Sequence, residues 1–455
     1  MNYTYAADSQ LLKETRLSGP VDATTSFAWT TGPTTNFTYD KVGRLASEVT
    51  NEGSSTLAAY YYTAYDNDNW LTTNTYTPAS GVTGGAGTYT YTYQADGELT
   101  NSTNPVTSAD SYSYNDNGDR TNGGFTSGVN NEAVTGANGG TTYAYKYDSE
   151  GNPTTQTAAG TTISYAWDNG NRLSQVTDAT GGARVSALYT YDFNNERVAE
   201  VDRSGAGTTS YVYQYDASDV ALVSTISGTT QTLAWGYLFD PTGNQTAPLA
   251  EEDGSGNVGW LLVDQNGSVQ DVVSTSGTNL DHVIFDSYGN KIVSDTGTAS
   301  LYGYQGMMQE PAIAVGGTAF LDYDNARWYS TDTGGFLSTD PSGFAAGDNN
   351  LYRFTGNDPI NNTDPSGLMF ETGNESDIFS DISSTDEFQA EELSQQFSSN
   401  EQQETSQLQQ IQDSDPFLIT PYASETSSPS PAPTVDPNLL NDLQNLVSQS
   451  PGASN

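Results

Sequence analysis

Residues 143–152 read YAYKYDSEGN, that is Tyr143-Ala144-Tyr145-Lys146-Tyr147-Asp148-Ser149-Glu150-Gly151-Asn152. Side chains along a strand alternate between its two faces, so Tyr143, Tyr145 and Tyr147 share one face. Asp148 then opens a turn, and Gly151 supplies the left-handed residue of a short hairpin loop. The segment is therefore one β-hairpin, which alone is marginal in water and must pair with neighbours. Such neighbours exist. Clear copies run from Tyr39-Asp40 through Gly43-Arg44-Leu45 and from Trp167-Asp168 through Gly170-Asn171-Arg172-Leu173. Weaker copies centre on Tyr65-Asp66, Tyr93-Gln94, Tyr114-Asn115, Tyr191-Asp192, Tyr215-Asp216, Phe239-Asp240, Val263-Asp264 and Phe285-Asp286. The period is about 20 to 28 residues, within the range of repeat architectures.

One face of the resulting sheet carries aromatic rings whose hydroxyls need partners. The other carries Thr, Ser and Asn, and neither has the aliphatic density of a two-layer sandwich. The expected fold is all-β: one spiralling antiparallel sheet of Tyr-Asp hairpins over residues 1–300, curled into a full or partial shell. Residues 260–277 and 285–291 read as its last hairpins. Residues 301–321 depart from the period, and 312–317 are expected to thread inward as a strand or loop. Tyr5 to Thr15 reads as the middle of a degenerate repeat with no capping unit before it. The chain is therefore expected to be the C-terminal piece of a longer protein, or a stand-alone product of recombination.

Composition narrows the function. With 13 Lys plus Arg against 56 Asp plus Glu, the formal charge is -43. A field of that sign repels nucleic acid and anionic membrane. There is no cysteine, hence no disulfide framework and no thiolate metal site. No run reaches the length of a membrane span, and the first residues carry no export signal. His282 is the only histidine, too little for a zinc site or a Ser-His-Asp triad. Acidic runs such as 66–69 and 115–119 lack the bidentate acid that closes a calcium loop, and turns explain them. No cofactor is implied.

The period gives way to residues 322–368, DYDNARWYSTDTGGFLSTDPSGFAAGDNNLYRFTGNDPINNTDPSGL. This stretch holds two Asp-Pro-Ser-Gly boxes, 340–343 and 364–367, with Arg327 and Arg353 as its only positive charges. Each box alone suits a type I turn. The order is more specific: Ala326-Arg327-Trp328-Tyr329, then Gly335-Phe336-Leu337-Ser338 and the first box, then Asn350-Leu351-Tyr352, Asn357, Pro359 and finally Asp364-Pro365-Ser366-Gly367-Leu368. That order resembles the core of the Rhs/YD-repeat family, the polymorphic-toxin and toxin-complex shells whose core ends in DPxGL. The resemblance implies a shell sealed by a core that cuts its own chain as an aspartyl protease. It implies Asp340 and Asp364 as the paired carboxylates, Arg327 as their basic partner, and scission between Leu368 and Met369. Ser330-Thr331 stands where the family has Asp-Pro, and Gly335 where it has Arg. On general grounds, two close carboxylates cannot both ionise, so one is acid and the other base. An arginine near one of them is expected to lower its pKa and so assign it the base role.

After Leu368 the composition changes. Residues 369–455 are rich in Ser, Gln, Glu and Asp, contain no Lys or Arg, and are expected to be mostly disordered. Local helices are expected after the capping box at Ser384 to Glu387 and over 437–448. This tail lacks the residues of a nuclease or an ADP-ribosyltransferase. The three segments are thus 1–300, 301–368 and 369–455. The reading is a secreted or cell-surface bacterial shell that self-cleaves after Leu368. Its partners are its own C-terminal segment as cargo and an N-terminal shell portion on another chain. The alternative is a non-catalytic surface or intercellular-interaction protein, adhesive or carbohydrate-binding, that keeps the boxes as turns.

Overall fold

The computed structural model describes residues 2–372, apart from 7–9, 19–29, 108, 139–140, 159, 179–183, 204–207, 217, 240–246, 295–299 and 316–318. From residue 373 on, the acidic tail with its two expected helices lies outside the described residues.

Within them the chain is all-β and antiparallel, with only three short 3-10 turns. Nine strands, from Asn2–Tyr5 to Asp110–Ser111, pair strictly in chain order, and sixteen more, from Thr126–Ser127 to Lys291–Ser294, do the same. The hairpin array thus forms two meanders rather than one continuous sheet. The break falls where the sequence turns twice in quick succession. Asn115 to Gly118 make one turn closed by the isolated Tyr114–Arg120 bridge, and Gly123 and Gly124, both left-handed, begin another before a return strand can extend. Strand Met308–Val315 is the extended form of the segment expected to leave the period; with Ala319–Asp324, Arg327–Ser330 and Gly335–Phe336 it makes a four-stranded core sheet. No helix among the described residues is long and apolar enough to cross a membrane.

The repeat works as its residues suggest. At Asp40, Asp66, Asp148, Asp168, Asp192, Asp264 and Asp286 the Oδ1 atom accepts the backbone N–H groups two and four residues on, at 2.8 to 3.1 Å. Short polar side chains favour such local bonds over a straight ladder, which is why they end strands. The left-handed residue is the third after the Asp. It is Gly in most repeats, but Asn69, Asn171 and Asn195 take it elsewhere, so in 167–173 it is Asn171 and not Gly170. In many repeats the Tyr or Trp at the end of the first strand, just before the turn, stitches its hairpin to the previous one. Tyr65 donates to the Leu45 carbonyl at 2.6 Å, Tyr93 to Leu71 at 2.6 Å, Trp167 to Pro153 at 2.7 Å, Tyr191 to Leu173 at 2.8 Å and Tyr215 to Arg197 at 3.0 Å.

The inward tyrosines of the second meander, among them Tyr145, Tyr165, Tyr189 and Tyr213, pack on Leu321, Tyr323, Trp328 and Leu337 of the core. Tyr60, Tyr62 and Tyr76 of the first meander pack on Trp260, Leu262, Val273 and Ile284 of the second. The late strands are richer in aliphatics than the array as a whole: in Val258–Val263 all but the first residue are buried. Burying a side chain such as Leu261 contributes about 1.5–3 kcal/mol. Arg197, fully buried, fastens wall to core, with Glu200 of its own strand at 3.6 Å, Glu310 of the core at 3.5 Å, and the Tyr213 and Tyr323 rings over its guanidinium.

Candidate active site around Arg327

Arg327 opens strand Arg327–Ser330, directly opposite Asp324 across a tight turn whose Asn325 is left-handed, with φ of 46°. Asn tolerates that conformation better than most residues. The strand's pairing aims the guanidinium inward over the Phe336 ring, 3.5 Å from its centroid. There Nη2 meets Asp340 Oδ2 and Asp364 Oδ2, each at 3.2 Å. Nη1 donates to the Leu351 carbonyl at 3.2 Å, and Nε donates to the Gly367 carbonyl. Arg327, Asp340 and Asp364 are all buried.

Both Asp-Pro-Ser-Gly boxes are turns of the same kind as the repeats. Asp340 Oδ1 accepts the Ser342 N–H at 2.7 Å, and Asp364 Oδ1 accepts the Leu368 N–H at 3.1 Å. What differs is the second oxygen. At Asp264 it is answered by Gln270 six residues on, and at Asp40, Asp148, Asp168, Asp253 and Asp286 four residues on, by Arg44, Asn152, Arg172, Asn257 and Asn290. In the boxes that position holds Phe344 or Leu368, which cannot answer. Each Oδ2 is left to a distant partner, and both find the same guanidinium. An apolar residue at that offset is visible in the sequence but does not mark the boxes alone, since Trp70 holds it after Asp66.

The sequence argument expected the arginine to single out one carboxylate, but Arg327 reaches both at the same distance. Burial keeps the Asp364 carboxyl above its usual range although Arg327 pulls the other way. A third carboxyl, which the sequence reading passed over, belongs to Asp324. Burial, then the neighbouring Asp364, hold it well above the ordinary range, and its Oδ2 has no hydrogen-bond partner. Burying a carboxylate oxygen that has no hydrogen-bond partner is costly, which favours the protonated form of Asp324. Asp322, two residues earlier, is pushed up to about 7 by burial against the opposing pull of Lys291.

The expected scissile bond lies against this cluster. Asp364 Oδ1 accepts the Met369 N–H at 3.2 Å, and Met369 itself is exposed. Arg353 belongs elsewhere, pairing with Asp348 at 2.6 Å and Glu98 at 3.1 Å. His282 is buried in the seam between the meanders, with Nδ1 2.8 Å from Asp271 Oδ1 and Nε2 3.3 Å from the Gly84 carbonyl.

A family model described as Teneurin YD-shell matches residues 62–360, which takes in Arg327 and Asp340 and stops short of Asp364. No curated protein matches the chain. Among solved structures it is similar to the crystal structure of TcdB2-TccC3-TEV, with a TM-score of 0.54 and 19% identity over 81% of this chain and 19% of that one. The crystal structure of TcdB2-TccC3 gives 0.54 and 18% over 80% and 20%. The Photorhabdus luminescens Tc holotoxin pore gives 0.53 and 18% over 81% and 19%. The chain spans about a fifth of the length of these structures. At such identities the likeness is one of fold.

Proposed function

The chain belongs to the Teneurin YD-shell family, and from that premise we propose that its core cuts the chain once, between Leu368 and Met369, so that the hairpin shell holds or releases the segment beyond. In this reading Asp340 and Asp364 are the acid–base pair and Arg327 is their basic partner. A water gives a proton to Asp340 as its oxygen attacks the Leu368 carbonyl carbon. The C–N bond then breaks as Asp364 protonates the Met369 nitrogen, leaving an amine on Met369 and a carboxylic acid on Leu368 that returns its proton to Asp364. Asp364 takes the acid role because burial favours its protonated form and its carboxyl lies beside that nitrogen, whose N–H it accepts until attack makes the nitrogen pyramidal. Arg327 offsets one negative charge, so the pair stays close without both carboxylates repelling. Because bond and catalyst share one chain, the effective molarity is high and no substrate cleft is needed.

The observation that carries this reading is the meeting of both boxes on one buried guanidinium beside the Met369 nitrogen. The segment after residue 368 is then the cargo, an N-terminal shell portion on another chain the partner, and the working place outside the cell. The test compares wild type with Asp340→Asn and Asp364→Asn after incubation between pH 4 and 8, a window spanning dyad protonation. A small fragment whose N-terminal sequence begins at Met369, slowed at least a hundredfold in both variants, is expected.

A second reading is favoured by the turn geometry, since Asp340 and Asp364 use Oδ1 as the repeat aspartates do. There the boxes only end strands, and the protein is a non-catalytic adhesive or interaction module. A wild type that stays whole throughout that window selects it.

A further inference from the structure

The chain carries the sequence Asp-Pro-Ser-Gly twice, and the reading above has only the second copy cut. The two copies differ in what lies against them. A Cβ built on Gly343 would meet nothing within 4 Å, whereas one on Gly367 would lie 2.2 Å from the Asp324 carbonyl oxygen, 3.2 Å from the Arg327 nitrogen and 3.3 Å from the Ala326 nitrogen. The second box is therefore pressed backbone to backbone against the turn at 324–327, whereas nothing packs on Gly343 of the first.

The contact is in register. Asn325 Nδ2 donates to the Pro365 carbonyl at 2.9 Å, Ala326 N–H to the Ser366 carbonyl at 3.2 Å, and Arg327 Nε to the Gly367 carbonyl. Three consecutive residues hold three consecutive carbonyls. The next carbonyl is that of Leu368, and no hydrogen bond among the described residues holds it. It is the one that water must attack. We propose that residues 325–327 are a carbonyl-reading clamp which selects the second box over the first and sets the cut one residue beyond the last carbonyl held. Asn325 is thus a positioning residue, and Gly367 is required because any side chain there would strike the clamp. In the clamp the left-handed Asn325 is one of three consecutive residues whose donors face the turn at 365–367.

This inference rests on the self-cleavage reading, and its test separates the two. Asn325→Gly keeps a residue suited to positive φ and the Ala326 N–H while removing only the side-chain donor. Scission is expected to slow about five- to tenfold, the loss of about one net hydrogen bond. The pH profile should not change, because the acid and base are untouched. A minor fragment ending one residue from Leu368 should appear by mass. Amide exchange over residues 362–369 should rise, a readout that needs no scission. Gly367→Ala is expected to abolish the cut and raise exchange over the same residues. A wild type that is cut, beside an Asn325→Gly variant with the same rate, one fragment and unchanged exchange, overturns the clamp alone. A wild type that stays whole overturns the self-cleavage reading, and the choice of bond falls with it.

Discussion

A single aspartate can serve as a turn former and as a reagent because its two oxygens are separable. Asp364 spends Oδ1 on the backbone, as Asp148 and Asp168 do, and it is Oδ2 that reaches Arg327. The candidate residues Arg327, Asp340 and Asp364 were therefore legible in the sequence, and the structure brings all three together. Asp324 and Asn325 were not legible, since their meaning depends on what presses against the turn that holds them. Three predictions belong here. Arg327→Met leaves buried carboxylates without their cation, so unfolding in denaturant should show a loss of about 3–5 kcal/mol. Arg327→Lys, a point charge in place of a planar fork, should not restore all four contacts and should leave scission impaired. Burial and the neighbouring Asp364 raise the pKa of Asp324 in the folded state. Its contribution to stability is full below the ordinary carboxyl range and is lost as pH rises toward its folded value. Asp324→Asn should therefore unfold with a weaker pH dependence than wild type on the alkaline side; identical profiles would mean that Asp324 is already charged.

Among elements, the hairpin is the unit and the stitch between hairpins is what sets its spacing. Tyr191 donates to the Leu173 carbonyl at 2.8 Å and accepts from Trp328 Nε1 at 2.9 Å, so it ties two repeats and the core at once. Tyr191→Phe keeps the ring but leaves a buried indole N–H without its partner. A cost of about 1–3 kcal/mol is expected from chemical denaturation, whereas a cost near zero would make the stitch incidental. Arg172, on the same turn system but partly exposed in its pair with Asp168, should cost under about 1 kcal/mol when changed to Ala. Strand positions and turn offsets could be read from YAYKYDSEGN and its copies, because period two and the Asp-to-Gly offset are local rules. The split into two meanders could not. It depends on how the Gly-rich run after Tyr114 competes with pairing, and nothing in the repeat itself states the outcome.

At the scale of the whole molecule, the wall is an acidic chain folded over buried acids. Burial pushes Glu48 up to about 8 and holds Glu251 and Asp358 at about 7, alongside Asp322. Each group keeps in the folded state a proton that the unfolded chain loses near its ordinary pKa of about 4. Their joint contribution is therefore full in acid and is withdrawn as pH rises through about 7 to 8. The midpoint of thermal unfolding should fall between pH 5 and pH 8.5, and a flat or rising midpoint would contradict these burials. The YD-repeat shell was legible from the sequence because its rules repeat; whether its core acts as a reagent is decided only by chemistry. The most direct measurement is the intact mass of the purified protein after incubation in water enriched in oxygen-18. The account predicts two pieces whose masses sum to the chain plus one water, with the label on the piece ending at Leu368. A single unlabelled mass, at every pH from 4 to 8, would contradict it.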